Sequence, residues 1–251
     1  MKLLRFLKSG EVFYGILDGE FIQPVADLFD LTATGRKVRP GKVKLLAPCE
    51  PSKIICVGLN YKDHAAEMSM PLPEEPIIFL KPPSSVLEPG GVIVYPKMSR
   101  RVEHEAELGI VMGRQARAVS PEDAKKYILG YTCFNDVTAR DLQKKDGQWT
   151  RAKSFDTFAP FGPWIETEID PADVTVEAYL NGRRKQSSST ANMKFSAYAL
   201  VSFISKVMTL EPGDVIATGT PPGIGPMKAG DRIEVRVSGI GSLENTIGAE
   251  V

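Results

Sequence analysis

Short apolar runs recur along almost the whole chain, most of them about four to eight residues long, many rich in β-branched side chains and closed by Gly, Pro, Asp or Asn turn signals. Runs of that length are short for globular helices and match strands, so the pattern predicts a mainly β chain. Lys2 to Leu7, Val12 to Leu17 and Glu20 to Val25 come first, separated by Ser9-Gly10 and Asp18-Gly19. Beyond a polar, basic stretch from Thr34 to Lys44, Leu45-Leu46-Ala47-Pro48 opens a longer series. It comprises Ile54 to Gly58, Ile77 to Leu80, Val92 to Tyr95, Glu107 to Met112, Tyr127 to Phe134, Trp164-Ile165, Val174 to Leu180, Val215 to Thr218 and Arg232 to Val237. Two segments are helical in character: Pro121 to Tyr127 behind Ser120 as N-cap, and Phe195 to Met208, where apolar and small residues recur at helical spacing. The expected organisation is α+β and mainly strand, with a small N-terminal β domain and linker over residues 1–44 and a main domain over 45–251.

Charge and cysteine usage narrow the function classes. Lys plus Arg equal Asp plus Glu at 31 each with no basic block, which argues against nucleic acid or an anionic membrane as partner. No apolar run reaches the ~20 residues of a membrane span, and the N-terminus lacks a signal-peptide core, so a cytoplasmic protein is expected. Cys49, Cys56 and Cys133 are odd in number and lack Cys-x-x-Cys spacing. They support neither a disulfide framework nor a zinc site and read as core thiols.

The chemistry concentrates around Glu105-Ala106-Glu107, which leads into the apolar run Leu108 to Met112. Residues two apart on a strand project from one face, so both carboxylates point the same way. Such a pair is either solvated surface decoration or, if buried, a cradle for a hard divalent cation that offsets the repulsion. Asp136 ends another apolar run and is a candidate third ligand. His64 and Glu67, three apart in a helical turn, would be neighbours; a carboxylate on the imidazole makes it a better base, although an exposed pair is the alternative. The proline- and methionine-rich stretch from Met68 to Pro76 is either a flap or an inert loop. Arg140 can clamp a carboxylate and Lys153 can sit near developing negative charge, though basic residues are solvated by default. Thr218 to Gly225 is a glycine-rich turn without the ending of a P-loop; it presents Thr220 to a ligand or is a tight turn only.

Taken in order, Gly58-Leu59-Asn60-Tyr61-Lys62-Asp63-His64, Phe79-Leu80-Lys81-Pro82, His104 to Gly109, Asp136 to Asp141, Ala152 to Asp156 and Thr218 to Pro221 resemble the fumarylacetoacetate hydrolase family, in its short fumarylacetoacetase-domain-containing form. The resemblance covers nearly everything from Leu45 onward. It implies a mixed β-sandwich roll, a homodimer, and a magnesium ion, with manganese or calcium as alternatives, on Glu105, Glu107 and Asp136. It also implies Lys153, His64 and Glu67 as catalytic residues and Arg140, Gln143 and Thr220 as substrate contacts. The longer fumarylacetoacetases carry a further metal-binding aspartate where Asn60-Tyr61 stands here, which separates this chain from the fumarylacetoacetase substrate itself.

The expected substrate is a small 2-oxo or diketo acid. The leading expectation is hydrolysis of a C–C bond in an acylpyruvate through an enolate. Isomerisation of 2-hydroxyhepta-2,4-diene-1,7-dioate type, and decarboxylation or tautomerisation of oxaloacetate, need the same enolate without the water. A silent binding or scaffold protein is the expectation from a different class. A glycosidase is disfavoured, because two acids side by side on one strand face are too close to straddle a scissile bond.

Overall fold

The computed structural model describes residues 1–250. Its centre is an eleven-stranded sheet whose main path runs Phe21–Val25, Glu11–Asp18, Lys2–Lys8, Ala159–Glu166, Ile128–Asn135, Ala106–Met112, Val215–Ala217, Ile54–Gly58 and Ile77–Lys81. A five-stranded sheet of Arg183–Ser189, Thr175–Leu180, Arg232–Val237, Gly241–Ala249 and Val92–Tyr95 packs against it. Most pairs are antiparallel, but Val215–Ala217 runs parallel to Ile54–Gly58 and Gly241–Ala249 runs parallel to Val92–Tyr95. The fold is therefore a mixed, mainly β sandwich, as the short apolar runs predict. Among the described residues no helix is long and apolar enough to cross a membrane.

Every residue of Ala106–Met112 is buried, because the strand is covered on both faces. Leu108, Ile110 and Met112 join the core shared with Val176, Ala178, Val235 and Leu243 of the second sheet, whereas Val111 faces a second cluster with Phe134, Phe161, Ile54 and Ala217. Helix Ala197–Val207 closes the first core with Leu200, Val201 and Ile204, and Ser196 caps it by accepting the Ala199 N–H at 3.3 Å. The N-terminal strands are the end of the large sheet: Lys2 and Leu3 pair with Glu166 and Ile165.

Several local expectations change. Ser120 does accept the Asp123 N–H, but the segment behind it forms a 3-10 turn over Ala124–Tyr127 rather than an α-helix from Pro121. Seven residues are too few to build helix on one buried alanine. Arg183–Ser189 and Gly241–Ala249 are strands whose polar composition hid them. Arg140–Asp146 and Thr150–Lys153 are short helices with little apolar periodicity to announce them.

A third, three-stranded sheet of Thr138–Ala139, Val102–His104 and Gly225–Pro226 matters most for function. Thr138 pairs with Glu103 and Gly225 pairs with His104. It draws three segments far apart in sequence to one end of the large sheet: the Glu105 strand, the Asp136 turn and the Thr220 turn.

Candidate metal centre and active site

Strand register brings the three acids together. Ala106 pairs with Asn135, so Glu105 and Asp136 lie opposite each other just beyond the ladder, and the Asp136 N–H donates to the Glu105 carbonyl at 2.9 Å. Glu105 is the break between Val102–His104 and Ala106–Met112, and its N–H is taken by Asn135 Oδ1 at 3.1 Å. Glu107 stands two residues further on. Carboxylate oxygens of Glu105, Glu107 and Asp136 all lie within 4.8 Å of one another, and the residues are 6%, 1% and 1% exposed. Burial at that level rules out surface decoration.

Cations brace two of the three. Lys153, brought in by helix Thr150–Lys153, donates to Glu105 at 2.9 Å and to Asp136 at 2.6 Å, and lies 5.0 Å above the Phe79 ring. Lys81, at the end of Ile77–Lys81, donates to the other Asp136 oxygen at 2.5 Å and to the Val137 carbonyl at 3.1 Å. Arg140, first residue of its helix, bonds Glu103 through Nε at 2.7 Å, Gln143 through Nη1 at 2.6 Å and Glu105 through Nη2. Burial alone would raise the Glu105 carboxyl, but Lys153 and Arg140 outweigh it and hold the group far below the usual carboxylate range. Burial likewise opposes the charge on Lys153, yet Asp136 and Glu105 keep its ammonium firmly protonated.

Glu107 is different. Among the described residues its one polar partner is the Gly219 N–H at 2.7 Å. Burial first, then the Asp136 and Glu105 carboxylates, push its carboxyl well above the ordinary range. Gly219 can make that bond because it has φ +99°, and a Cβ there would meet Asn60 at 2.8 Å. Three carboxylates converge, and among the described residues no lysine or arginine bonds Glu107; that oxygen donor set fits a hard divalent ion such as magnesium or manganese.

The acids form the floor of a cavity of about 340 Å³. Arg140, Gln143, Lys153, Thr220 and His64 line its walls, with Phe79, Trp149, Ile77, Met68 and Met70 toward the mouth. His64 is carried by helix Lys62–Glu67, and its Nδ1 lies 2.9 Å from Glu67 Oε2. Because a carboxylate only accepts, Nδ1 carries the proton, and in the neutral imidazole Nε2 keeps its lone pair. Glu67 stands behind His64 and also accepts the Gly223 N–H, at 3.1 Å and 3.2 Å from its two oxygens. Eight of the nine residues singled out in the sequence therefore line this one cavity, and Glu67 reaches it through His64.

Sequence reasoning missed Lys81 and Glu103, which hold Asp136 and Arg140 from behind. Lys81 stands in the Phe79-Leu80-Lys81-Pro82 string, yet nothing in that string says that its side chain runs 55 residues ahead to an acid. Trp149 was missed as well; it meets Phe79 edge-on with ring centroids 5.1 Å apart.

A mainly β sandwich thus carries three buried carboxylates that could hold a metal ion, an ion-paired lysine and a His–Glu pair around one cavity. The chain belongs to the fumarylacetoacetate hydrolase family: residues 53–248 match the Fumarylacetoacetate (FAA) hydrolase C-terminal family, and residues 1–48 match the Rv2993c-like, N-terminal family. It is 43% identical to a mitochondrial oxaloacetate tautomerase of Xenopus laevis over 82% of this chain and 68% of that one. Its fold matches 2-hydroxyhepta-2,4-diene-1,7-dioate isomerase from Mycobacterium marinum with a TM-score of 0.94 at 42% identity, covering 100% of this chain and 99% of the other. It also matches maleylpyruvate hydrolase from a Sphingobium species, solved with manganese(II) and pyruvate, with a TM-score of 0.84 at 30% identity over the full length of both chains.

Proposed function

We propose that this protein is a divalent-metal-dependent hydrolase that cleaves a C–C bond in acylpyruvate-type 2-oxo acids. The observation that carries the reading is His64, with a free Nε2 and Glu67 behind its Nδ1, on the wall of the same cavity whose floor is the acid cluster. The cavity is at the small end of ligand sites, in keeping with a substrate of few carbon atoms.

Glu105, Glu107 and Asp136 would hold magnesium or manganese, and the ion supplies Lewis acidity where charge develops on the 2-oxo oxygen. Arg140 spends three of its five N–H groups on Glu103, Gln143 and Glu105, which leaves two for the substrate carboxylate. Lys153, kept protonated, faces the developing negative charge. His64 takes a proton from water as its oxygen attacks the distal carbonyl, and Glu67 stabilises the imidazolium. The C–C bond then breaks, its electron pair passes into the enolate of pyruvate, and a proton returns to carbon, giving pyruvate and a carboxylic acid.

A second reading rests on the relatives named as an isomerase and as a tautomerase. Isomerisation or tautomerisation would use the acid cluster, Lys153 and the enolate and leave the water step out. Acetylpyruvate turnover, measured with and without chelator, tests the first reading. We expect loss of activity on chelation and its return with magnesium or manganese; turnover indifferent to chelator would sink the proposal. His64→Ala tests the water step: hydrolysis should fall by about 10²- to 10⁴-fold, whereas an unchanged rate would show that His64 does not activate the water. Isomerase or tautomerase turnover that survives His64→Ala while acetylpyruvate is not cleaved selects the second reading.

A further inference from the structure

Gln186 does not line the cavity and sits in a strand, Arg183–Ser189, whose other side chains are mostly polar and outward-facing. It is nevertheless 1% exposed and makes four hydrogen bonds. Its Oε1 accepts the Ala106 N–H at 2.9 Å and His104 Nδ1 at 3.0 Å. Its Nε2 donates to Thr220 Oγ1 at 2.8 Å and to the Pro221 carbonyl at 2.8 Å. The amide orientation is fixed by chemistry: the Ala106 N–H can only donate and the Pro221 carbonyl can only accept. Both lone pairs and both protons of the amide are thus spent.

The four partners fall into two groups. Ala106 and His104 flank Glu105 in the metal-binding stretch. Thr220 and Pro221 belong to the turn that supplies Thr220 to the cavity, the Gly219 N–H to Glu107 and the Gly223 N–H to Glu67. The same turn presses on the neighbour of Gln186: a Cβ on Gly223, where φ is +94°, would lie 2.0 Å from the Lys185 carbonyl. Thr220 in turn donates its hydroxyl to the Ala106 carbonyl at 2.8 Å.

We infer that Gln186 is a positioning residue whose acceptor half sets the register of the metal-binding acids and whose donor half sets the Thr220 turn against the substrate. The inference rests on the proposed reading of Glu105, Glu107 and Asp136 as metal ligands and of Thr220 as a substrate contact. It predicts that the two halves separate. Gln186→Glu keeps an oxygen for Ala106 and His104 but replaces the donors by an oxygen that repels the Pro221 carbonyl. Gln186→Met keeps the length and removes both halves.

The experiment titrates manganese alone into the metal-free full-length protein by calorimetry, and measures kcat and KM for acetylpyruvate at saturating metal near pH 8. Gln186→Glu should hold its manganese affinity within about threefold while KM rises by about tenfold or more. Gln186→Met should lose about 10- to 100-fold in manganese affinity as well. A general loosening of the fold would instead weaken both properties together in both variants, and that result overturns the assignment. So does wild-type-like KM in Gln186→Glu. Wild-type protein that takes up no manganese overturns the metal reading itself and this assignment with it, whereas normal wild-type uptake with both variants unaffected overturns the assignment alone.

Discussion

The two ends of the cavity are built on opposite principles. At the acid end, Glu103, Glu105, Glu107, Asp136, Lys81 and Lys153 are each at most 6% exposed, and every carboxylate but Glu107 is bonded to at least one cation. At the dyad end, His64 rides on a helix of six residues that lacks a side-chain N-cap and runs into Met68 and Met70, 45% and 51% exposed. A few polar contacts tie that helix down: Ser188 Oγ to Asp63 at 2.5 Å, and the Gly223 N–H to Glu67. Local opening favours regions with few buried contacts, and charge storage needs groups that cannot move apart. The difference teaches a division of structure, in which the acid end holds charge in a fixed frame and the His64 end is the looser one; in the proposed reaction, that looser end would select between hydrolysis and isomerisation.

The largest effect should come from breaking the braced end. Glu105→Ala removes one candidate ligand and leaves Lys153 and Arg140 each short of a buried partner. We expect loss of calorimetrically measurable manganese binding together with a stability loss of about 3 kcal/mol in urea unfolding. An equivalent cut at the other end, His64→Ala, should leave both properties close to wild type. Equal destabilisation by the two substitutions would contradict this division.

How far this division was legible in the sequence depends on which interactions are local. The β period put Glu105, at the break just before Ala106–Met112, on one side with Glu107, and the i,i+3 spacing put Glu67 against His64, because both rules act between residues two or three apart in the chain. Burial was not legible, and burial is what turns a pair of acids into a cradle. The braces were hidden because they cross the fold: Lys81 reaches Asp136, Arg140 reaches back to Glu103, and Gln186 reaches Ala106. Gln186 was the least visible of them. Its strand reads Arg-Arg-Lys-Gln-Ser-Ser-Ser, and only register shows that Gln186 and Ser188 turn inward while their neighbours face solvent. The fold's mainly β character, by contrast, was legible, since most strands of the large sheet bring their own apolar run; Val86–Leu87 and the first part of Ala159–Glu166 did not announce themselves.

The next effect is smaller and concerns the one acid without a cation. A carboxyl raised above its ordinary value of 4.5 still binds its proton where a free one has lost it, and Glu107 is raised well above that value by burial, Asp136 and Glu105. A metal ligand must be deprotonated, so the incoming ion displaces that proton. Manganese affinity should climb with pH from the ordinary carboxylate range up to the raised value, by at most about tenfold per pH unit for one proton, and level off above it. Glu105, held below the usual range, carries no proton in that window and adds nothing. Calorimetry in buffers of differing ionisation enthalpy would show the released proton directly. Glu107→Gln should abolish the slope; a slope that survives it would place the proton elsewhere.

The smallest effect should appear at the outer edge of the dyad. Glu67 is 42% exposed at its side chain, so its charge is partly screened by water, and its two bonds to His64 and to the Gly223 N–H both use it as an acceptor. Glu67→Gln keeps one acceptor oxygen for His64 and the Gly223 N–H, removes the charge and puts an NH2 group in place of the second oxygen. We expect kcat for acetylpyruvate hydrolysis to fall by only about three- to tenfold with manganese affinity unchanged, while Glu67→Ala, which frees the imidazole to turn, should approach the loss seen for His64→Ala. If Glu67→Gln were as damaging as Glu67→Ala, charge on the imidazolium rather than orientation of the ring would be the main contribution of Glu67. If both were harmless, His64 would be held by the helix alone, and the dyad end would be more rigid than its few contacts imply.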